Sequence, residues 1–329
     1  MRINSVNNAY YLNSGYRRLQ TQVNFTSNVN VAKIKPALDP NAAMNEFLAK
    51  TMKISKLRYQ ELIPELKSAT EEITFNFKKT KTYGLDINPN NRKKYAVILH
   101  GLGQNITNLQ PLYKSIINKT DYAIIAPEYR GFGRNEVAKV NDKTLLEDAQ
   151  AAINYLKDKG IDSKDICIIG HSLGGFVASG LAAANPEISS LILVSSAESL
   201  TNKSMNNLNI SIPKFTKFIY KHFPALQNST FRKINTVKNL KNVEMPVYII
   251  HSEKDKIISS DVAQHLANAC KNLQSVEILP NGGHAIDSDK IDKIIQILDW
   301  RKTSSFFIPF CHYFFIIFLT YSTTCFPTS

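Results

Sequence analysis

Four cysteines, at 167, 270, 311 and 325, are all that this 329-residue chain carries, and no two have C-x-x-C spacing. That excludes a disulfide scaffold and a cysteine-based zinc or redox motif. It favours reduced thiols in a cytosol-like compartment. The N-terminus, MRINSVNNAYYLNSGYRR, lacks an apolar core of signal-peptide length, so export by that route is not expected. There is no G-x-x-x-x-G-K phosphate cradle and no cluster of Asp, Glu and His with metal-ligand character. No cofactor or metal ion is expected. Lys and Arg number 40 against 27 Asp and Glu, a formal net charge of +13, yet no basic run is dense enough for a nucleic-acid arm. Nucleic acid is therefore not an expected partner.

What is present is the composition of a globular core, with 43% hydrophobic and 20% charged residues. Residues 1 to about 40 are rich in Asn, Ser, Thr and Gln and read as disordered or loosely attached. From Asn41 to Ala69, Ala43, Phe47, Leu48, Met52, Leu57, Leu62 and Leu66 recur at near-helical spacing, with Pro64 expected to end or kink the run. Residues 1–70 are taken as an N-terminal extension. Ile73–Phe77 alternates apolar and polar, and Thr82–Ile87 is its expected hairpin partner. Then come continuously apolar runs, YAVILHG, YAIIAPEY, DICIIGHS, LILVSS and VYIIHSE, with a weaker VEILP. Runs of this kind are strands buried on both faces. Helical patterns separate them at Thr144–Lys159 (closed by Gly160), Phe176–Asn185, Ser260–Lys271 and Ser288–Trp300. Strands alternating with helices specify an α/β fold, a mostly parallel sheet with helices on both faces, over residues 71–302.

Gly170-His171-Ser172-Leu173-Gly174 is a G-x-S-x-G pentapeptide. Alone it is a weak signal. Here a buried strand precedes it and a small-residue helix follows, and that strand–turn–helix setting lifts a serine hydroxyl above a sheet. The turn is tight enough to need glycine at 170 and 174. A serine hydroxyl needs a base. His284, in NGGH after the last strand, stands in the right order. His100, His171 and His251 also lie at strand ends, but not after the last strand. The base needs a carboxylate to fix its tautomer. Asp255, after VYII, is the first choice, with Glu253 and Glu198 as fallbacks. An oxyanion site needs two backbone N–H groups. Leu173 supplies one from the elbow. Leu102, or else Gly103, supplies the other from the loop His100-Gly101-Leu102-Gly103-Gln104.

The segments HGLG (100–103), EYRGFGRN (128–135), GHSLGG (170–175), HSEKDKII (251–258) and GGH (282–284) together resemble the α/β-hydrolase superfamily. The likeness covers about residues 70 to 300. It is nearest the branch holding monoacylglycerol lipases, serine-aminopeptidase-like hydrolases and carboxylesterases. The resemblance implies the α/β-hydrolase fold, Ser172 as nucleophile, Asp255 as acid, His284 as base, and the HGLG loop in the oxyanion site. Glu128 stands where the family usually has Asp, and Asn135 where it usually has Ser. The expected activity is cleavage of a small carboxylic ester or thioester, lipid-like substrates included. A peptidase or amidase is the alternative within enzymes, and a non-catalytic binding protein on the same scaffold is the alternative outside them.

Two segments stand apart. Residues 200–243 carry no strand pattern and hold Phe215, Phe218, Tyr220, Phe223 and Phe231 among many lysines, so a lid-like insertion is expected there. Residues 303–329 contain no Asp, Glu, Lys or Arg. Phe306–Tyr321 is apolar, but Pro309 and His312 interrupt it, and it is shorter than the ~20 residues that span a bilayer. The tail is read first as out-of-frame or read-through sequence with no role in the fold. A cytoplasmic protein is expected. Membrane association through the tail or the basic insertion is the alternative.

Overall fold

A computed structural model describes residues 40–77, 80–136, 140–198 and 235–304. An 8-stranded sheet runs through them in the order β1-β2-β4-β3-β5-β6-β7-β8. Its strands are β1 (Thr70–Phe77), β2 (Thr80–Ile87), β3 (Lys94–Leu99), β4 (Tyr122–Pro127), β5 (Ile166–His171), β6 (Ser190–Val194), β7 (Val247–Ser252) and β8 (Leu273–Leu279). β2 is antiparallel to both β1 and β4, and every pairing from β4 through β8 is parallel. The chain thus opens with a hairpin and then winds a parallel sheet. The mostly parallel fold expected from the apolar runs is what forms.

The buried strands split by residue parity, because successive side chains leave opposite faces of a strand. Tyr95, Val97 and Leu99 of β3 join one core layer with Ile166 and Ile168 of β5, while Ala96, Ile98, Cys167 and Ile169 join the other. Helices cover both. On the first face lie α4 (Asp142–Asp158) and α5 (Leu173–Ala184), with Leu145, Ile153, Leu156, Phe176 and Leu181 buried. On the second lie α3 (Gln110–Lys119) and α8 (Ser288–Ser304), with Leu112, Tyr113, Ile116, Ile294 and Leu298 buried. α6 (Thr236–Leu240) and α7 (Asp261–Ala267) also cover the first face, with Leu240, Val262, Ala263 and Leu266 buried there.

Local chemistry sets the helix boundaries. Asn141 caps α4. Its side chain accepts from the Thr144 N–H at 3.0 Å, while the Thr144 hydroxyl accepts from the Asn141 N–H at 2.8 Å. Just past the helix, Gly160 takes φ 75°, as a glycine C-cap does. Pro64 does not kink a helix. α1 (Pro40–Leu57) has already ended, and Pro64 opens a separate short turn, α2 (Pro64–Lys67), where a missing N–H costs nothing. α3 was not anticipated, although Leu112, Tyr113, Ile116 and Ile117 have helical spacing. Arg130 and Asp148 tie the loop after β4 to α4. The guanidinium Nη2 and Nε donate to Asp148 Oδ1 at 2.6 and 2.9 Å, and both side chains are buried.

Most of the expected insertion, residues 199–234, lies outside the described residues, as do residues 1–39 and 305–329. From Asn235 on the chain packs into the core. Thr236, Leu240 and Val243 are buried, and Asn239 Nδ2 donates to Ser179 Oγ of α5 at 3.2 Å. Among the described residues, no helix is long and apolar enough to cross a membrane.

Candidate active site

The functional residues gather at the carboxyl ends of the parallel strands, where an open α/β sheet leaves a crevice. Ser172 sits between β5 and α5 with φ 53° and ψ −113°, a conformation side chains rarely take. Its N–H donates to Val194 O at 3.0 Å, which ties the elbow to β6. Glycine is required beside it for want of space. A Cβ on Gly170 would lie 2.4 Å from the Gly174 carbonyl oxygen, and one on Gly174 would lie 2.0 Å from the Leu99 carbonyl oxygen. Ser172 also begins α5, so its hydroxyl stands at the positive end of a 12-residue helix.

The three residues singled out from the sequence meet. His284 Nε2 is 2.9 Å from Ser172 Oγ, and His284 Nδ1 is 2.8 Å from Asp255 Oδ2. Asp255 is buried, and its other oxygen accepts the N–H groups of Ile257 at 2.8 Å and Ile258 at 2.9 Å. Burial alone would raise its carboxyl pKa. Bonds from His251 and His284 and the backbone N–H groups outweigh that and hold it well below the usual carboxylate range. The carboxylate is therefore ionised, and His284 Nδ1 is the protonated nitrogen that donates to it. The fallback acids are elsewhere: Glu253 is exposed, and Glu198 faces His265 at 3.5 Å.

The remaining strand-end histidines serve the site from behind. His251 is fully buried; its Nε2 lies 3.0 Å from Ile258 O and 3.4 Å from Asp255 Oδ2. His100 is fully buried with Nε2 2.8 Å from Glu128 Oε1. His171, the second residue of the pentapeptide, bridges two loops. Its Nε2 is 2.8 Å from the His284 carbonyl oxygen, and its Nδ1 is 3.0 Å from Gln104 Oε1. Burial, with His284 and Lys290 nearby, pushes its pKa down to about 3. The ring is neutral at ordinary pH and has one N–H for two oxygen neighbours. Lys290, also fully buried, donates from Nζ to the Gly283 carbonyl at 2.7 Å. Lys290 thus pins the Gly283 carbonyl, and the next carbonyl, that of His284, lies against the His171 ring. Sequence reasoning missed Gln104 and Lys290, because a lysine on a helix normally reads as solvated. His171 and His251 were visible as strand-end histidines without a role.

The loop after β3 brings Gly101 and the Gln104 side chain beside the elbow. A Cβ on Gly101 would lie 3.3 Å from Ser172 Cβ. Among the described residues, the N–H groups of Leu102, Gly103 and Leu173 have no acceptor. The two departures from the family pattern have structural reasons. Glu128 reaches His100 and also accepts the Ile106 N–H at 3.2 Å. Asn135 Nδ2 donates to the carbonyls of Glu128 and Tyr129 at 2.8 and 3.1 Å, and its oxygen accepts the Tyr83 N–H at 2.9 Å.

A strained serine between a parallel strand and a helix, hydrogen-bonded to a histidine after the last strand, defines the α/β-hydrolase class. Comparison with known proteins agrees. A family model described as serine aminopeptidase, S33, matches residues 90–237. The protein L404 of Acanthamoeba polyphaga mimivirus is 26% identical over 238 residues, which is 68% of this chain and 83% of L404. A Mycobacterium tuberculosis protein is 25% identical over 194 residues, 59% of this chain, and the match spans only 57% of that relative's length. The Pyrococcus furiosus esterase Pf2001 superposes with a TM-score of 0.57 over 73% of this chain and 96% of its own, at 20% identity. The chain has the α/β-hydrolase fold, and the family model's match over residues 90–237 supports a place in that superfamily.

Proposed function

We propose that the protein is a serine hydrolase that cleaves small carboxylic esters or thioesters through an acyl-enzyme on Ser172. The observation that carries this reading is the continuous chain from Ser172 Oγ to His284 Nε2 at 2.9 Å and from His284 Nδ1 to Asp255 at 2.8 Å. Ser172 Oγ attacks the carbonyl carbon while His284 Nε2 takes its proton. Asp255 stabilises the imidazolium. The carbonyl oxygen gains the charge and is met by the N–H groups of Leu102 and Leu173, which have no acceptor among the described residues, with the α5 dipole behind them. Collapse expels the alcohol or thiol, which takes the proton from His284. Water then attacks the acyl-enzyme, passing its proton to His284, and the acid leaves as Ser172 recovers its hydrogen.

Esterase activity in a structural relative such as Pf2001 supports the ester reading. The aminopeptidase description of the matching family model keeps peptide and amide substrates as the second reading. A peptide's free amine would need a carboxylate anchor beside the site, and the acids near Ser172 are already committed to His284, His251 and His100. Labelling by a fluorophosphonate probe, lost in Ser172→Ala, tests the nucleophile. No labelling of folded wild type would point to a non-catalytic scaffold. p-Nitrophenyl esters of rising chain length, set beside aminoacyl anilides, separate the two substrate classes, and turnover of anilides alone would overturn the ester reading.

A further inference from the structure

The helix that precedes the sheet reaches the reacting end of the molecule. Ser55, near the end of α1, is fully buried. Its hydroxyl donates to the Gln104 carbonyl at 2.6 Å and accepts the Gly133 N–H at 3.0 Å. The Ser55 carbonyl in turn accepts from Asn105 Nδ2 at 2.7 Å. The same turn of α1 holds the loop after β4 as well, since Lys56 Nζ donates to the Asn135 carbonyl at 2.7 Å. Gln104 passes the tie inward. Its N–H donates to Gly101 O at 3.2 Å, its Oε1 accepts the Gly101 N–H at 2.8 Å, and that oxygen faces His171 Nδ1. α1 lies outside residues 90–237, the part matched by the family model.

We infer that Ser55 and Gln104 are positioning residues for the reaction and that α1 is a working part of the active site, bracing the loop that presents the Leu102 N–H. This rests on the serine-hydrolase reading above. Oxyanion donors help only if they are held in place before charge develops. The loop 100–104 contains two glycines, one of them Gly103 at φ 71°, and has little rigidity of its own. Among the described residues it is held by the Ser55 hydroxyl, the Asn105 amide, the Gln104 side chain and the His100 ring, whose Nδ1 is 2.9 Å from Gly101 O. Ground-state binding of an ester uses this loop little, so losing the brace lowers kcat and leaves KM nearly unchanged.

The test uses the full chain as wild type, Ser55→Ala, Gln104→Leu and Thr51→Ala. Thr51 lies on the same helix, and among the described residues its hydroxyl bonds to Leu48 O at 2.8 Å alone, so it controls for damage to α1 itself. Four quantities are read: kcat and KM on a p-nitrophenyl ester, the rate of fluorophosphonate labelling, the affinity of an alkyl boronic acid that mimics the tetrahedral adduct, and the thermal midpoint. Removing an oxyanion donor outright costs about 10²–10³-fold, so displacing one is expected to lower kcat about 10-fold, with boronic-acid affinity falling in step. Thr51→Ala is expected to keep wild-type kcat. Wild-type kcat and boronic-acid affinity in Ser55→Ala would overturn the brace, as would an equal kcat loss in Thr51→Ala. Should Ser55→Ala fail to melt cooperatively, Gln104→Leu decides by the same split, and wild-type kcat there overturns the inference. Unlabelled wild type sinks the serine-hydrolase reading instead, whereas labelled wild type with unslowed variants sinks the brace alone.

Discussion

His171 should impose a measurable acid sensitivity on stability. Its pKa falls from an ordinary 6.5 to about 3 on folding, chiefly because burial disfavours the imidazolium. In the unfolded chain the ring protonates as pH drops below 6.5, while in the folded protein it stays neutral. The unfolded state therefore binds more protons between those values. The stability this neutral ring carries is complete above pH 6.5 and is lost as pH falls toward 3. At pH 5 the unfolded form gains a factor of about 30 from this one site, or about 2 kcal/mol relative to pH 7. His171→Asn removes the titration and can keep a donor near the His284 carbonyl. Urea unfolding of both proteins at pH 7, 6 and 5 is the assay, with the slope against pH as readout rather than the absolute stability. The variant's curve should be flatter by about 2 kcal/mol over that range. Parallel curves would refute the placement of His171 as a buried neutral ring.

Other expectations follow from the same geometry. Asp255→Asn keeps an acceptor for the Ile257 and Ile258 N–H groups but turns an NH₂ toward His284, so the imidazole takes the wrong tautomer. kcat should fall about 10⁴-fold in steady-state hydrolysis with KM little changed, and a loss under about tenfold would contradict the role of Asp255. Gly174→Ala places a methyl within 2.0 Å of a backbone oxygen, which must push the elbow off β3; urea melts should show a loss of about 1–3 kcal/mol, and wild-type stability would argue against the tight turn. Arg130→Ala strands a buried Asp148 carboxylate and should cost about 3–5 kcal/mol by the same measurement, whereas a loss below about 1 kcal/mol would mean the pair behaves as a surface salt bridge.

The sheet was readable because its central strands are buried on both faces. Apolar runs as short as those in YAVILHG and DICIIGHS, rich in β-branched residues and bounded by turn residues, fit a strand better than a helix. Ser172, Asp255 and His284 were readable because each follows a different strand in the chain order this fold imposes. What stayed hidden lies in contacts across the fold. Nothing local marks Lys290 as buried; only the His284 loop folding over α8 makes it so. Ser55 on α1 looks like an ordinary helix serine until the loops after β3 and β4 close around it. α3 was missed because Gln110 and Pro111 open it directly from a short 3-10 turn, Ile106–Leu109, although its apolar spacing was there to count.

The site is also assembled from distant stretches of the chain. Ser172 and His284 stand 112 residues apart in sequence, and Leu102, one of the two proposed donors, belongs to a loop earlier still. Parallel pairing of distant strands is slow, since every crossover must close before its contacts form. During refolding, helices can reappear while turnover is still absent. Regained hydrolysis would then act as a stopwatch for the docking of β7 and β8, a step that helical signal alone does not time.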